Sequence, residues 1–189
     1  TDWSWSALFC DFNNDTKQDL FVSNGYYRDV TDLDFVLYQN RKEQSKSGQI
    51  NHEEVLKMLP FEKLQNYLFE GSETSFKNRA EDWGLNDATL STGAAIGDLD
   101  GDGQMDLIVC NQGDEALIYK NNGSKNHFVN VKLKSKSNKT TEGSKLWVKN
   151  ADGSFRIFQN FSHRGYLSAS ESIFHIGLGN NSELPEMYL

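Results

Sequence analysis

Cysteine and proline are scarce, with two of each in 189 residues. Cys10 and Cys110 cannot form a disulfide framework, and no C-x-x-C pair offers a zinc or redox site, so both are expected to be small buried side chains. No apolar run approaches the roughly 20 residues that cross a bilayer, which excludes a membrane-spanning helix. Positive charge is also short: 19 Lys plus Arg face 27 Asp plus Glu, a formal net charge of -8. Such a surface repels nucleic-acid phosphates and anionic lipid, so no nucleic-acid partner is expected. No secretory leader opens the chain. Trp3, Trp5, Ala7 and Phe9 alternate as on one face of a strand already in mid-domain, which reads as a fragment of a longer protein. Apolar content is not lacking, at 37% hydrophobic and 12% aromatic. That is enough to build a core and rules out a disordered chain.

Internal repetition is the strongest pattern present. Residues 11–24 align without gaps on residues 98–111, so that Asp11, Asn13, Asp15 and Asp19 fall on Asp98, Asp100, Asp102 and Asp106. Each copy has a lead-in of small and apolar residues, then an acidic turn, then a β-branched and aromatic run. That order predicts a hairpin with a charged tip. Further strands are expected at Tyr67-Leu68-Phe69-Glu70 and Ser75-Phe76 after the first hairpin. After the second they are expected at Ala116-Leu117-Ile118-Tyr119-Lys120 and from His127 to Leu133. About four short strands per repeat is the size of a propeller blade.

From about residue 29 to 65 the chain is charged and lacks strand alternation. Leu33, Val36 and Leu37 share a helical stripe, and Asn51 with Glu54 could cap a helix that Pro60 ends, so a helical insertion is expected. Beyond Asn122-Gly123 the composition turns basic. Lys120, Lys125, Lys132, Lys134, Lys136, Lys139, Lys145 and Lys149 are opposed by Glu142 alone, and Lys132, Lys134 and Lys136 are expected on one strand face. That face reads either as a solvated edge that discourages strand pairing or as a patch for an anionic glycan or partner. N-x-Ser/Thr patterns at Asn14, Asn122, Asn138, Asn160 and Asn180 arise readily by chance in an Asn-rich chain.

The acidic turns carry the chemistry. Asp98, Asp100, Asp102, Gln104 and Asp106 supply oxygen at positions 1, 3, 5, 7 and 9, Gln104 through its backbone carbonyl, and Gly103 at position 6 permits the sharp turn. Crowded carboxylates repel one another unless a cation joins them, and an all-oxygen set favours calcium over zinc or copper. Magnesium fits less well because it demands octahedral geometry and keeps its waters. An EF-hand is rejected, since its twelfth position would be Val109, or Val22 in the first copy, where a bidentate Glu is required. The first loop offers Asp11, Asn13, Asp15, the carbonyl of Lys17, and Asp19. Asn13 lowers its charge and Thr16 replaces the turn glycine, so weaker binding is expected there, with Thr16 either distorting the loop or held by the metal.

The run Gly93-Ala94-Ala95-Ile96-Gly97, the loop from Asp98 to Asp106, and Leu107-Ile108-Val109 together resemble the FG-GAP or VCBS repeat, the blade unit of integrin-α-like β-propellers. The C-terminal third is similar to the ASPIC/UnbV domain in three stretches. These are Asn126-His127-Phe128-Val129-Asn130-Val131, Gly143-Ser144-Lys145-Leu146-Trp147-Val148, and Arg164-Gly165-Tyr166 with Phe174-His175-Ile176-Gly177-Leu178-Gly179. The stretch Trp3-Ser4-Trp5 to Phe35 looks most like Bacteroidetes surface or secreted proteins. The resemblance implies a mainly β chain: residues 1–122 as about two propeller blades, one with the helical insertion, then a small β domain at 123–189, truncated at its C-terminus. It also implies an extracellular, cell-surface or periplasmic calcium-binding module for recognition or scaffolding, with a glycan or protein ligand and further blades of the parent protein as partners.

No catalytic constellation accompanies this. His52, His127, His163 and His175 are isolated, no G-x-S-x-G elbow is present, and carboxylates bound to a cation make poor general acids. His163-Arg164 is the one polar pair that invites mutation. A non-catalytic module is therefore expected. The alternative is an accessory region of a carbohydrate-active enzyme whose catalytic residues lie elsewhere in the parent chain.

Overall fold

The computed structural model describes residues 3–26, 36–37, 63–136 and 140–189. Its regular elements are strands, and the mainly β expectation holds. β1 (Ser4–Cys10) and β2 (Asp19–Asn24) form the first hairpin, continued by β4 (Tyr67–Gly71) and β5 (Phe76–Asn78) in an antiparallel sheet of order β1-β2-β4-β5. β7 (Ser91–Gly97), β8 (Asp106–Asn111) and β9 (Leu117–Tyr119) repeat the first three strands as a second sheet. Register shifts fall at the same place in both inner strands, between Ser4 and Ala7 in β1 and between Ser91 and Ala94 in β7. The expected helical insertion lies outside the described residues except at its margins. Val36 and Leu37 are helical, but Leu64–Gln65 form β3, a strand paired with β6 (Ala88–Thr89).

Trp3, Trp5, Ala7 and Phe9 do share one side of the first strand, but it is the more exposed side. Ser6, Leu8 and Cys10 face inward. A serine is tolerated there because its hydroxyl donates to the Thr92 carbonyl at 3.0 Å, across the junction with the second sheet. Leu8, Phe21, Leu68, Ala94, Met105 and Val109 join both sheets in one core. Full burial of each large side chain contributes about 1.5 to 3 kcal/mol, so the two repeats stabilise each other rather than standing alone. The cysteines part company: Cys10 is buried, whereas Cys110 is exposed because it lies on the outward face of β8.

The C-terminal unit has its own core of Leu146, Val148, Phe174 and Ile176. β10 (His127–Val131) pairs with β13 (Phe174–Gly179), and β11 (Lys145–Lys149) lies between β12 (Phe155–Gln159) and β14 (Met187–Tyr188). β10 ends at Val131, so Lys132, Lys134 and Lys136 follow the strand instead of lining it, although all three are exposed. Lys132 is engaged by Glu171 at 3.0 Å. The unit is bound to both repeats: the Tyr166 N–H donates to Ser6 Oγ at 3.0 Å, and Ser170 Oγ accepts from the Ile96 N–H at 3.1 Å.

Candidate metal centres

Two nine-residue loops, 11–19 and 98–106, join the first two strands of each sheet, and their backbones are held by the same bonds save one: position 1 accepts from positions 5 and 6 in the first loop and from positions 4 and 6 in the second. At position 1, both oxygens of Asp11 accept N–H groups, from Asp15 and Thr16 at 2.9 Å each. Asp98 likewise accepts from Gly101 and Gly103 at 2.9 Å each. At position 9, Asp19 accepts from Phe12 at 2.9 Å and from Gly71 of β4 at 3.0 Å. Asp106 accepts from Leu99 at 2.9 Å and from Asn121, just past β9, at 2.8 Å. Positions 3 and 5 make Asx turns two residues on: Asn13 to Asp15, Asp15 to Lys17, Asp100 to Asp102 and Asp102 to Gln104, over 2.8–3.2 Å. The matching bonds show why this sequence pattern curls the chain into a compact turn that draws its oxygens together.

In the second loop three carboxylates converge. One oxygen from each of Asp98, Asp100 and Asp106 lies within 4.8 Å of the other two. This all-oxygen set fits a hard divalent cation such as calcium, with Asp102 and the Gln104 carbonyl next in the same turn. Lys120 forms an ion pair with Asp100, whose carboxyl is held below the usual carboxylate range by that hydrogen bond. Among the described residues the first loop has no comparable trio of acidic groups, its third position being the amide of Asn13.

Burial distinguishes the first loop. Asp11 is 1% exposed and Asp19 is fully buried. Burial first, and then the charge of Asp15, pushes the Asp11 carboxyl up to about 7. Burial likewise pushes Asp19 up to about 6, against the donated N–H groups of Gly71 and Phe12. These carboxylates call for positive charge nearby, which a bound cation would supply.

Thr16 keeps the turn that glycine makes elsewhere: its φ is 83°, against 88° for Gly103, and Asn14 at 59° stands where Gly101 has 78°. The loop is therefore not distorted by the substitution, and the C-terminal unit helps to hold it. Gly179 donates its N–H to the Asn14 carbonyl at 2.8 Å, and Arg156 donates to that of Thr16 at 3.4 Å. The Asn14 side chain meets Gln104 of the other loop at 2.7 Å and His175 Nε2 at 2.6 Å. His175 Nδ1 lies 2.7 Å from Asn130 Oδ1, and the Asn130 amide donates to the Gly103 carbonyl at 3.1 Å. Two oxygens facing the ring would suit its charged form, but burial pushes the His175 pKa down to about 4. Burial prevails, so the ring is held neutral and donates to one of the two asparagine oxygens.

All ten expected ligands thus fall in two loops that touch through Asn14 and Gln104. The side chains of Lys17 and Gln104 point elsewhere, Lys17 to Glu73, as expected if their carbonyls are the donors. Sequence reasoning missed Glu70, whose carboxylate is 3.3 Å from Asn13 Nδ2 and takes an Arg79 hydrogen bond at 2.8 Å. Extending the repeat alignment into the third strands would have found it. It also missed Asn14, Asn130 and His175, which no pattern within either repeat marks.

Among the described residues, no helix is long and apolar enough to cross a membrane. Over 96 residues the chain is 34% identical to cartilage acidic protein 1 of Xenopus tropicalis, a match covering 48% of this chain and 14% of that protein. The chain thus corresponds to a small part of that relative's length. Its C-terminal segment, residues 134–187, matches the family model described as ASPIC and UnbV.

Proposed function

We propose that the chain is a non-catalytic calcium-binding module of a larger extracellular protein, serving recognition of a glycan or protein ligand, or scaffolding. The observation that carries this reading is the trio of Asp98, Asp100 and Asp106 oxygens within 4.8 Å, in a loop whose bonding the first loop repeats. Each sheet then acts as one FG-GAP-type propeller blade, and calcium bound in the hairpin tips stiffens the surface on which the C-terminal unit sits. Extracellular placement draws support from the relative, whose name is that of an acidic cartilage protein. The case against catalysis rests on the best-placed base. The His175 ring is buried between two asparagines, each within 2.7 Å, and so is committed to structure.

The test is a calcium titration of thermal stability on the whole chain, with magnesium and a chelator as controls. Calcium at 100 times its dissociation constant should add about 2.7 kcal/mol per occupied site. Asp98→Ala with Asp106→Ala should abolish the contribution of the second loop. A melting temperature indifferent to calcium overturns the reading.

A further inference from the structure

A cavity of about 610 Å³ opens between the two repeats and the C-terminal unit, bordered by Thr16, Lys17 and Gln18 of the first loop and by Met105 of the second. Its volume is that of a small-molecule site. Phe9 and Phe76 on one side and Phe161 on the other line it, each about half exposed. The charge of its walls runs against that of the chain, since Lys17, Arg156 and Arg164 line it and Glu171 is the one carboxylate that does among the described residues. Lys17 is paired with Glu73 and Glu171 with Lys132, whereas neither guanidinium is in an ion pair among the described residues.

Both arginines are fixed by neutral acceptors. Arg156 donates through Nε to Asn150 Oδ1 and through one terminal nitrogen to the Gly177 carbonyl, each at 2.9 Å. Arg164 donates through Nε to the Phe161 carbonyl at 3.0 Å and through one terminal nitrogen to the Gln159 carbonyl at 2.7 Å. Each keeps its other terminal nitrogen without a hydrogen bond among the described residues. Burial pulls the Arg156 pKa down, against the charge of Asp11. A guanidinium already immobilised, with N–H groups to spare, is preorganised for a planar or tetrahedral oxyanion.

The geometry points to this cleft as a binding site for an anionic saccharide. Its carboxylate or sulfate would meet Arg156 and Arg164, while its ring would lie against the phenylalanines and be hydrogen-bonded by Gln18 and Gln159. This rests on the recognition reading above; the cleft borders the first loop but the proposed contacts use none of the acidic side chains of either loop. It moves the anionic-glycan site from the lysines after β10, one of which is already paired, to the arginines of the C-terminal unit.

Calorimetric titration of the whole chain with digalacturonate, a sulfated disaccharide and a neutral disaccharide, in calcium and again in chelator, tests it. At least one anionic sugar should bind in both media and weaken with salt, and whichever binds tighter identifies the acidic group. Arg164→Gln and Arg164→Lys should each weaken binding, the former on the order of tenfold. Phe76→Ala on the opposite wall should weaken it as well. Neutral sugar binding as tightly as anionic, no binding of either anion, or Arg164→Gln and Phe76→Ala proteins that melt normally and bind unchanged would overturn the assignment. Anion binding retained in a protein that ignores calcium would overturn the metal reading and leave the cleft standing.

Discussion

Glu70 and Lys120 occupy the same place in the two repeats with opposite charge. The pairing of Leu20 with Phe69 and of Leu107 with Tyr119 puts each one residue beyond a matched partner, at the end of the third strand. Each reaches position 3 of its loop, Glu70 to the amide of Asn13 at 3.3 Å and Lys120 to the carboxylate of Asp100. The first repeat has an amide at that loop position and a carboxylate beside it, whereas the second has a carboxylate there and a cation against it. Lys120 must therefore yield Asp100 for a metal to take it.

Lys120→Met should raise the calcium affinity of the second loop, and Glu70→Gln should lower that of the first. Because Lys120 is exposed and Glu70 partly so, each change should be a few-fold and should shrink in high salt, more so for Lys120. Calorimetry on the two variants checks this. Unchanged affinity in both would show that the third-strand side chains are bystanders.

The pH dependence in chelator should carry two opposing trends. Asp11 has its pKa raised from 3.8 to about 7, so its contribution to stability is fully present below pH 3.8 and is lost as pH rises through 7. Asp19, raised to about 6, adds to that loss. His175, lowered from 6.5 to about 4, contributes stability present above 6.5 and lost as pH falls toward 4. Each trend is worth on the order of a few kcal/mol. Calcium in the first loop should abolish the alkaline loss and, near pH 6.5, release about one proton. Titrations in buffers of different ionisation enthalpy measure that release, and heats independent of buffer would count against a metal on Asp11.

What the sequence made legible was local. The nine-residue spacing made the turns that hold Asp11, Asp19, Asp98 and Asp106 legible, because a loop's bonds run between residues it contains. Apolar alternation found the hairpins but assigned no inside to β1, because Ser6 is buried by a partner 86 residues away, the Thr92 carbonyl. Asn14, Asn130 and His175 were illegible for the same reason: they meet only after the C-terminal unit packs on the loops. The two arginines of the cleft are ordinary in sequence, and their interest comes from the neutral acceptors that fix them, which no pattern reports.

The first loop should respond in opposite senses to two small substitutions. Thr16 holds φ at 83° with a β-branched side chain, a strain of about 1 to 2 kcal/mol, partly offset by the greater freedom of glycine in the unfolded chain. Thr16→Gly should therefore stabilise the protein by about 1 kcal/mol or less. Gly177 of β13 presses directly on the same loop, and a Cβ there would stand 2.1 Å from Asp11 Oδ2 and 2.7 Å from Asn14 Cα. Since the second of these atoms is backbone, the contact cannot relax by a rotamer change, and Gly177→Ala should cost at least about 1 to 3 kcal/mol. Urea denaturation of both variants in chelator measures the two effects. If Gly177→Ala leaves the midpoint unchanged while calcium binding also survives, the C-terminal unit does not bear on the loop. The account of how Thr16 is held would then have to be sought within residues 11–19 alone.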